Sequence, residues 1–160
     1  LRVLHKPFSQ EVPSRLAATF AEIASRAGSG YPMAAPDHKG MDPGLVAECL
    51  SVVWDQPGTG FLECLSARIP TLAYWPRTTN REGPCAAALF AELEAVGVVV
   101  RTADALAESL LALKAAPSAW MNAEPRRRAV ERFLAAYART EDCWPKSWRA
   151  FLKDRASGAG

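Results

Sequence analysis

The residues best placed to do chemistry sit where an apolar run, Leu50-Ser51-Val52-Val53-Trp54, breaks at Gln56-Pro57-Gly58-Thr59-Gly60 and gives way to Phe61-Leu62-Glu63. A helix opening there has first N–H groups without intrahelical acceptors. They carry partial positive charge, which suits a phosphate. Gly58 and Gly60 let an anion approach the backbone closely, and Thr59 adds a hydroxyl donor. Glu63 follows Thr59 by four residues, so it lies on the same helix face about 5.4 Å further along. A carboxylate there is too distant to repel the phosphate strongly, and it can accept hydrogen bonds from a ribose diol. Phosphate at the helix tip and ribose one turn in form a coherent nucleotide geometry. The pattern is neither a P-loop nor a GxGxxG fingerprint. The alternative is a junction that binds nothing, with Glu63 facing solvent.

Other polar residues fall at neighbouring strand ends. His5-Lys6-Pro7 closes the first strand-like run, so His5 or Lys6 can pair with a phosphate; otherwise Lys6 is a solvated strand end. Arg77, Asn80, Arg81 and Glu82 follow the run ending Trp75-Pro76, and Arg77 or Arg81 can neutralise phosphate charge. A polar loop without a ligand fits the same residues. Asp37-His38-Lys39-Gly40 can sit near a base, although a lone His is weak support. Cys49, Cys64, Cys85 and Cys143 form no CxxC pair, and only two histidines are present, so no zinc site and no metal are expected. Scattered cysteines read as reduced thiols, hence cytoplasm. A net charge of +2 gives no electrostatic case for nucleic acid.

The elements that must hold these residues alternate. Strands are expected at Leu1–His5, Tyr31–Ala35, Leu50–Trp54, Pro70–Trp75 and Val96–Val100. The Leu50–Trp54 run, nearly all apolar, reads as buried on both faces. Helices are expected at Pro13–Ala27, with Leu16, Phe20 and Ile23 on one face, at Phe61–Arg68, at Pro84–Ala95, from a Thr102 cap to Leu113, at Ser118–Ala138, and at Trp144–Lys153. Arg126-Arg127-Arg128 reads as a solvated helix face, and Trp120, Trp144 and Trp148 as packing residues. This alternation predicts an α/β fold, a Rossmann-like doubly wound parallel sheet with helices on both faces and extra C-terminal helices. It spans residues 1–155 as one domain, with 156–160 a flexible tail. No apolar stretch reaches the roughly 18 residues of a membrane span. The chain opens without Met inside a strand-like run, which reads as a domain cut from something longer.

The stretch Gly58-Thr59-Gly60-Phe61-Leu62-Glu63-Cys64-Leu65-Ser66-Ala67-Arg68-Ile69-Pro70-Thr71-Leu72-Ala73-Tyr74-Trp75 resembles the donor-binding segment of glycosyltransferases with the B fold. Those segments read as Gly, small polar residues, a Glu inside a helix, a small residue, then Pro and a hydrophobic strand. The chain looks most similar to transferases from bacterial surface-carbohydrate loci. Leu93–Gly97, Ala103–Ala107, Trp120, Phe133, Tyr137, Thr140, Trp144 and Trp148 continue the similarity in order and spacing. The resemblance implies that Glu63 contacts the ribose of a nucleotide-activated sugar and that Gly58, Thr59 and Gly60 lie near its phosphates. It implies a second Rossmann-like domain before Leu1 that holds the glycan acceptor and the catalytic base. It implies no bound metal or cofactor, and it allows a peripheral position at the inner face of the membrane. Many relatives carry Ser or Thr where this chain has Gly60, so one hydroxyl donor is missing. A nucleotide-sugar epimerase half-domain and a non-catalytic Rossmann-like binding module remain as alternatives.

Overall fold

The computed structural model describes residues 2–7, 9, 11–34, 41–78, 81–139 and 143–157. They fall into two compact units, Leu1–Ala47 and Glu48–Gly160. In the first unit the two expected strands reduce to a single parallel bridge, His5 to Met33. The Val3 N–H donates to the Gly30 carbonyl at 2.8 Å, and the Ala34 N–H to the His5 carbonyl at 2.7 Å. The expected helix begins earlier and is interrupted at Leu16, giving α1 (Glu11–Arg15) and α2 (Ala17–Ala27). A 3-10 turn at Gly28–Gly30 ends it, and α3 (Pro43–Ala47) closes the unit.

The second unit is built on a small parallel sheet. β1 (Val52–Trp54), β2 (Thr71–Tyr74) and β3 (Val99–Val100) lie in that order, with Val52 opposite Thr71 and Tyr74 opposite Val100. α4 (Thr59–Ser66) and α5 (Ala87–Ala95) make the two crossovers. Right-handed crossovers between consecutive neighbours place both helices on one face. α6 (Ala103–Ala115) packs against β2 and β3, and α7 (Pro117–Asn122) and α8 (Glu124–Tyr137) follow. α9 (Trp144–Ser157) ends the described chain. This is a mixed α/β architecture with a three-stranded parallel sheet.

Burial explains the layering. Thr71, Leu72 and Ala73 are all fully buried, so both faces of β2 are covered. β1 departs from its expected burial, because Val53 is 42% exposed. β1 pairs only with β2 within this sheet, and an edge strand lacks a neighbour on one side. The core gathers Phe61 and Leu65 from α4, Leu93 from α5, Leu113 from α6 and Phe133 from α8. The Phe133 ring meets Phe61 edge-on at 6.1 Å and Phe90 at 5.2 Å. Burying each such side chain contributes about 1.5–3 kcal/mol.

Two corrections concern the C-terminal helices. The expected single helix over Ser118–Ala138 breaks at Ala123, which is extended at φ −54°, ψ 127°. Pro125 has no N–H for a continuing helix, and its ring would meet the carbonyl four residues back. Arg126 is not part of a solvated face. Its guanidinium stacks on the Trp120 ring at 3.8 Å and donates to the Val96 carbonyl at 2.9 Å and to the Trp120 carbonyl. Burial pushes its pKa down. Arg127 pairs with Glu131 at 2.9 Å and Arg128 with Glu124, as surface residues do.

α4 and α5 end alike. Each closes with the hydrogen-bond pair of a Schellman motif: Ile69 N–H to Cys64 carbonyl (2.9 Å) with Arg68 N–H to Leu65 carbonyl (3.1 Å), and Val98 N–H to Leu93 carbonyl (2.9 Å) with Gly97 N–H to Glu94 carbonyl (3.0 Å). The left-handed residue is Gly97 at φ 74° in one case and Arg68 at φ 56° in the other. A side chain in that region costs about 1–2 kcal/mol. The exposed Arg68–Glu131 pair, 3.5 Å apart, offsets little of this. Arg68→Gly is therefore expected to raise stability by about 0.5–1 kcal/mol, read as a higher urea midpoint with an unchanged slope. A lower midpoint would contradict it.

Candidate functional site

β1 delivers the chain to Trp54, and the turn after it is pinned by the Gly58 N–H donating to the Gln56 carbonyl at 2.9 Å. Gly58 is the N-cap of α4, extended at φ −89°, ψ −163°, with no side-chain cap. The first helical bond runs from the Leu62 N–H to the Gly58 carbonyl at 3.2 Å. The N–H groups of Thr59, Gly60 and Phe61 have no acceptor among the described residues. The helix thus opens two residues earlier than the spacing predicts, and its tip is Gly58 itself. Thr59 is exposed, and Glu63 is exposed one turn on without an ion pair or hydrogen bond among the described residues.

Gly60 has a steric reason the sequence did not reveal. A Cβ at position 60 would lie under 3.0 Å from three atoms of the Trp54 indole. The ring therefore lies directly over the first turn of α4, in the space a side chain would need. The indole Nε1 is sealed from solvent. Cys64, fully buried beneath this turn, is held as a thiol because burial raises its pKa, with side-chain hydrogen bonds to Thr71 and Trp54 pulling the other way. It is a packing residue rather than a nucleophile.

A second cluster lies at the ends of β2 and β3. Because the strands are parallel, it shares the carboxyl edge of the sheet with the α4 tip, two strand spacings of about 4.8 Å away. Arg101, directly after β3, has a side chain only 11% exposed. It donates to Glu94 at 3.0 Å, to Glu82 at 3.2 Å and to the Trp75 carbonyl at 3.0 Å. Its guanidinium also sits 5.6 Å from the Trp75 ring centroid. Arg77 reaches Glu82 at 3.4 Å and Glu94 at 3.3 Å. A hydrogen bond from its own backbone N–H, with Arg101 and Arg77 beside it, holds the Glu82 carboxyl below the usual carboxylate range against the cost of burial.

The expected site residues separate accordingly. Gly58, Thr59, Gly60 and Glu63 come together on one helix tip. Arg77 stands on the same edge, already engaged by two carboxylates. Arg81 is exposed without an ion pair among the described residues. Lys6 belongs to the first unit, half-buried, and its neighbour His5 bonds the Tyr31 hydroxyl through Nδ1 and meets the Phe20 ring at 5.0 Å. Asp37-His38-Lys39-Gly40 and Asn80 lie outside the described residues. Arg101 was missed, although a lone Arg ending Val98-Val99-Val100 before the Thr102 cap was a readable signal; the cap itself forms, with the Ala105 N–H donating to the Thr102 hydroxyl at 3.2 Å. No group of three or more metal-ligating side chains occurs among the described residues.

Two outcomes follow from this geometry. Gly60→Ala gains up to about 1 kcal/mol of helix propensity, but displacing the indole costs about 1–3 kcal/mol. The variant is expected to lose about 1–2 kcal/mol of stability, and the same change in a Trp54→Ala background to lose none, as a double-mutant cycle in urea reads directly. Glu82, with its pKa depressed on folding, contributes stability that is fully present above the ordinary glutamate value of about 4.3 and is lost as pH falls through its folded-state value. Glu82→Gln should therefore lower the melting temperature at pH 7, and the gap to the parent should close in acid. A gap that persists or widens in acid would refute this role.

A family model for LIC12162 family transferases matches residues 43–152, which contain both clusters. No curated protein and no solved structure matches the chain. With more than two thirds of its 160 residues inside that match, the chain belongs to the LIC12162 family of transferases.

Proposed function

We propose that this chain holds the nucleotide of an activated sugar within a glycosyltransferase of bacterial surface polysaccharide synthesis. The observation that carries the reading is the α4 tip: three N–H groups without acceptors among the described residues, at the carboxyl edge of a parallel sheet, followed one turn later by an exposed Glu63. Ligands of open parallel sheets bind at that edge. The phosphates lie against the amides of Thr59, Gly60 and Phe61, the Thr59 hydroxyl adds a donor, and Glu63 accepts from the ribose hydroxyls. Arg77 and Arg81, from the same unit, supply compensating positive charge.

In the transfer, an acceptor hydroxyl oxygen bonds to the anomeric carbon, the bond from that carbon to the nucleotide phosphate breaks, and the acceptor proton passes to a base. The helix tip stabilises the negative charge that grows on the departing phosphate. The acceptor and the base belong to a second domain preceding this one. The sheet is then the core of a doubly wound Rossmann-like domain, and the reaction is cytoplasmic.

Calorimetric titration with the mono- and diphosphates of cytidine, uridine and guanosine tests this. Saturable binding to one base series is expected, weakened about tenfold or more in Glu63→Ala, since a hydrogen bond to a charged group is worth about 1.5–3 kcal/mol. A folded chain that binds none of them, or binds equally well without Glu63, contradicts the assignment.

A further inference from the structure

The last helix carries a surface that the nucleotide reading does not use. α9 reads Trp-Pro-Lys-Ser-Trp-Arg-Ala-Phe-Leu-Lys-Asp-Arg-Ala-Ser. In this sequence Trp144, Trp148, Phe151 and Leu152 recur at the spacing of one helix face, with Arg155 falling on the same face at its end, and Lys146, Arg149 and Lys153 at the spacing of the opposite one. Trp148 is 57% exposed and Leu152 58%. Lys146, Arg149 and Lys153 are exposed as well. The helix has no extensive packing against another described element. By sequence it holds four basic residues and one acid, so the whole positive excess of a chain of net charge +2 resides in it.

We infer that α9 is an interfacial helix that lies on an anionic lipid surface. Trp148 and Leu152 enter the boundary between headgroups and acyl chains, and Lys146, Arg149 and Lys153 draw the helix to negative headgroups. Trp is suited to that boundary because its ring is apolar and its N–H polar. At 14 residues the helix is about 21 Å long, too short to cross a hydrocarbon core of about 30 Å. No helix among the described residues is long and apolar enough to cross a membrane. A protein partner would also cover the apolar stripe. The basic face favours lipid, because three cations on it with no acid among them match a diffuse negative surface that needs no registered partners. This inference does not depend on the nucleotide site.

The test sediments the 160-residue chain with vesicles of phosphatidylcholine, with and without phosphatidylglycerol. Binding is expected only with phosphatidylglycerol, and it should weaken at least tenfold as salt is raised. Each basic residue near the surface is worth about fivefold in affinity, so Lys146→Glu/Arg149→Glu/Lys153→Glu should lose more than 100-fold. Trp148→Ser/Leu152→Ser should also lose binding while the chain stays folded. If the serine variant unfolds, quenching of tryptophan emission by brominated lipid, lost in Trp148→Phe, answers the same question. No sedimentation, or equal sedimentation with both lipids, overturns the inference. So does an oligomer that dissociates in the serine variant while vesicles are ignored, which would assign the stripe to a second copy of the chain.

Discussion

The indole of Trp54 occupies the space that a side chain at position 60 would need, and the carboxyl edge of the sheet is organised around that contact. It ties the last residue of β1 to the first turn of α4, so the strand end and the helix tip cannot turn independently. The direction of the amides at Thr59, Gly60 and Phe61 follows from it. The arrangement is costly locally. Gly inside a helix gives up about 1 kcal/mol. Packing of the ring against the helix must offset this. The contact also explains a departure from the resembled pattern: a hydroxyl at position 60 is sterically excluded here, so anion binding rests on backbone N–H groups and Thr59.

The same edge is stiffened further along by Arg101. A guanidinium that is 11% exposed, shared between Glu82 and Glu94 and anchored on the Trp75 carbonyl, joins the end of β2 to the end of β3. Exposed ion pairs contribute little, but breaking a buried one leaves an uncompensated charge. Arg77 belongs to this network on its exposed side, which limits how freely it can serve a ligand. Behind the edge, the fully buried β2 and the Phe61, Phe90 and Phe133 rings hold the strands and helices in register.

Much of this was legible in the sequence, and the misses have physical causes. The apolar runs at Val52–Trp54, Thr71–Tyr74 and Val99–Val100 are strands, and the Thr102 cap forms, because these depend on local pattern and on hydrogen bonds three residues apart. The break at Gly58-Thr59-Gly60 was legible for the same reason, although the helix after it opens two residues before the expected Phe61. Contacts between distant residues were not. Arg101 meets Glu82 across 19 residues, and Arg126 meets Val96 across 30, so no local window contains either pairing. Edge position was hidden too, since an apolar run cannot report whether it has one neighbour or two. The break at Ala123 was readable from Pro125 and was overlooked.

The central claim, that the tip of α4 is an anion site, is tested most directly by following backbone amide resonances during titration with a nucleoside diphosphate. The account predicts saturable shifts at Thr59, Gly60 and Phe61, all with one dissociation constant, and little change at Ser66 to Ile69 at the other end of the helix. Shifts confined to other residues, or none at concentrations that saturate the calorimetric signal, would contradict it.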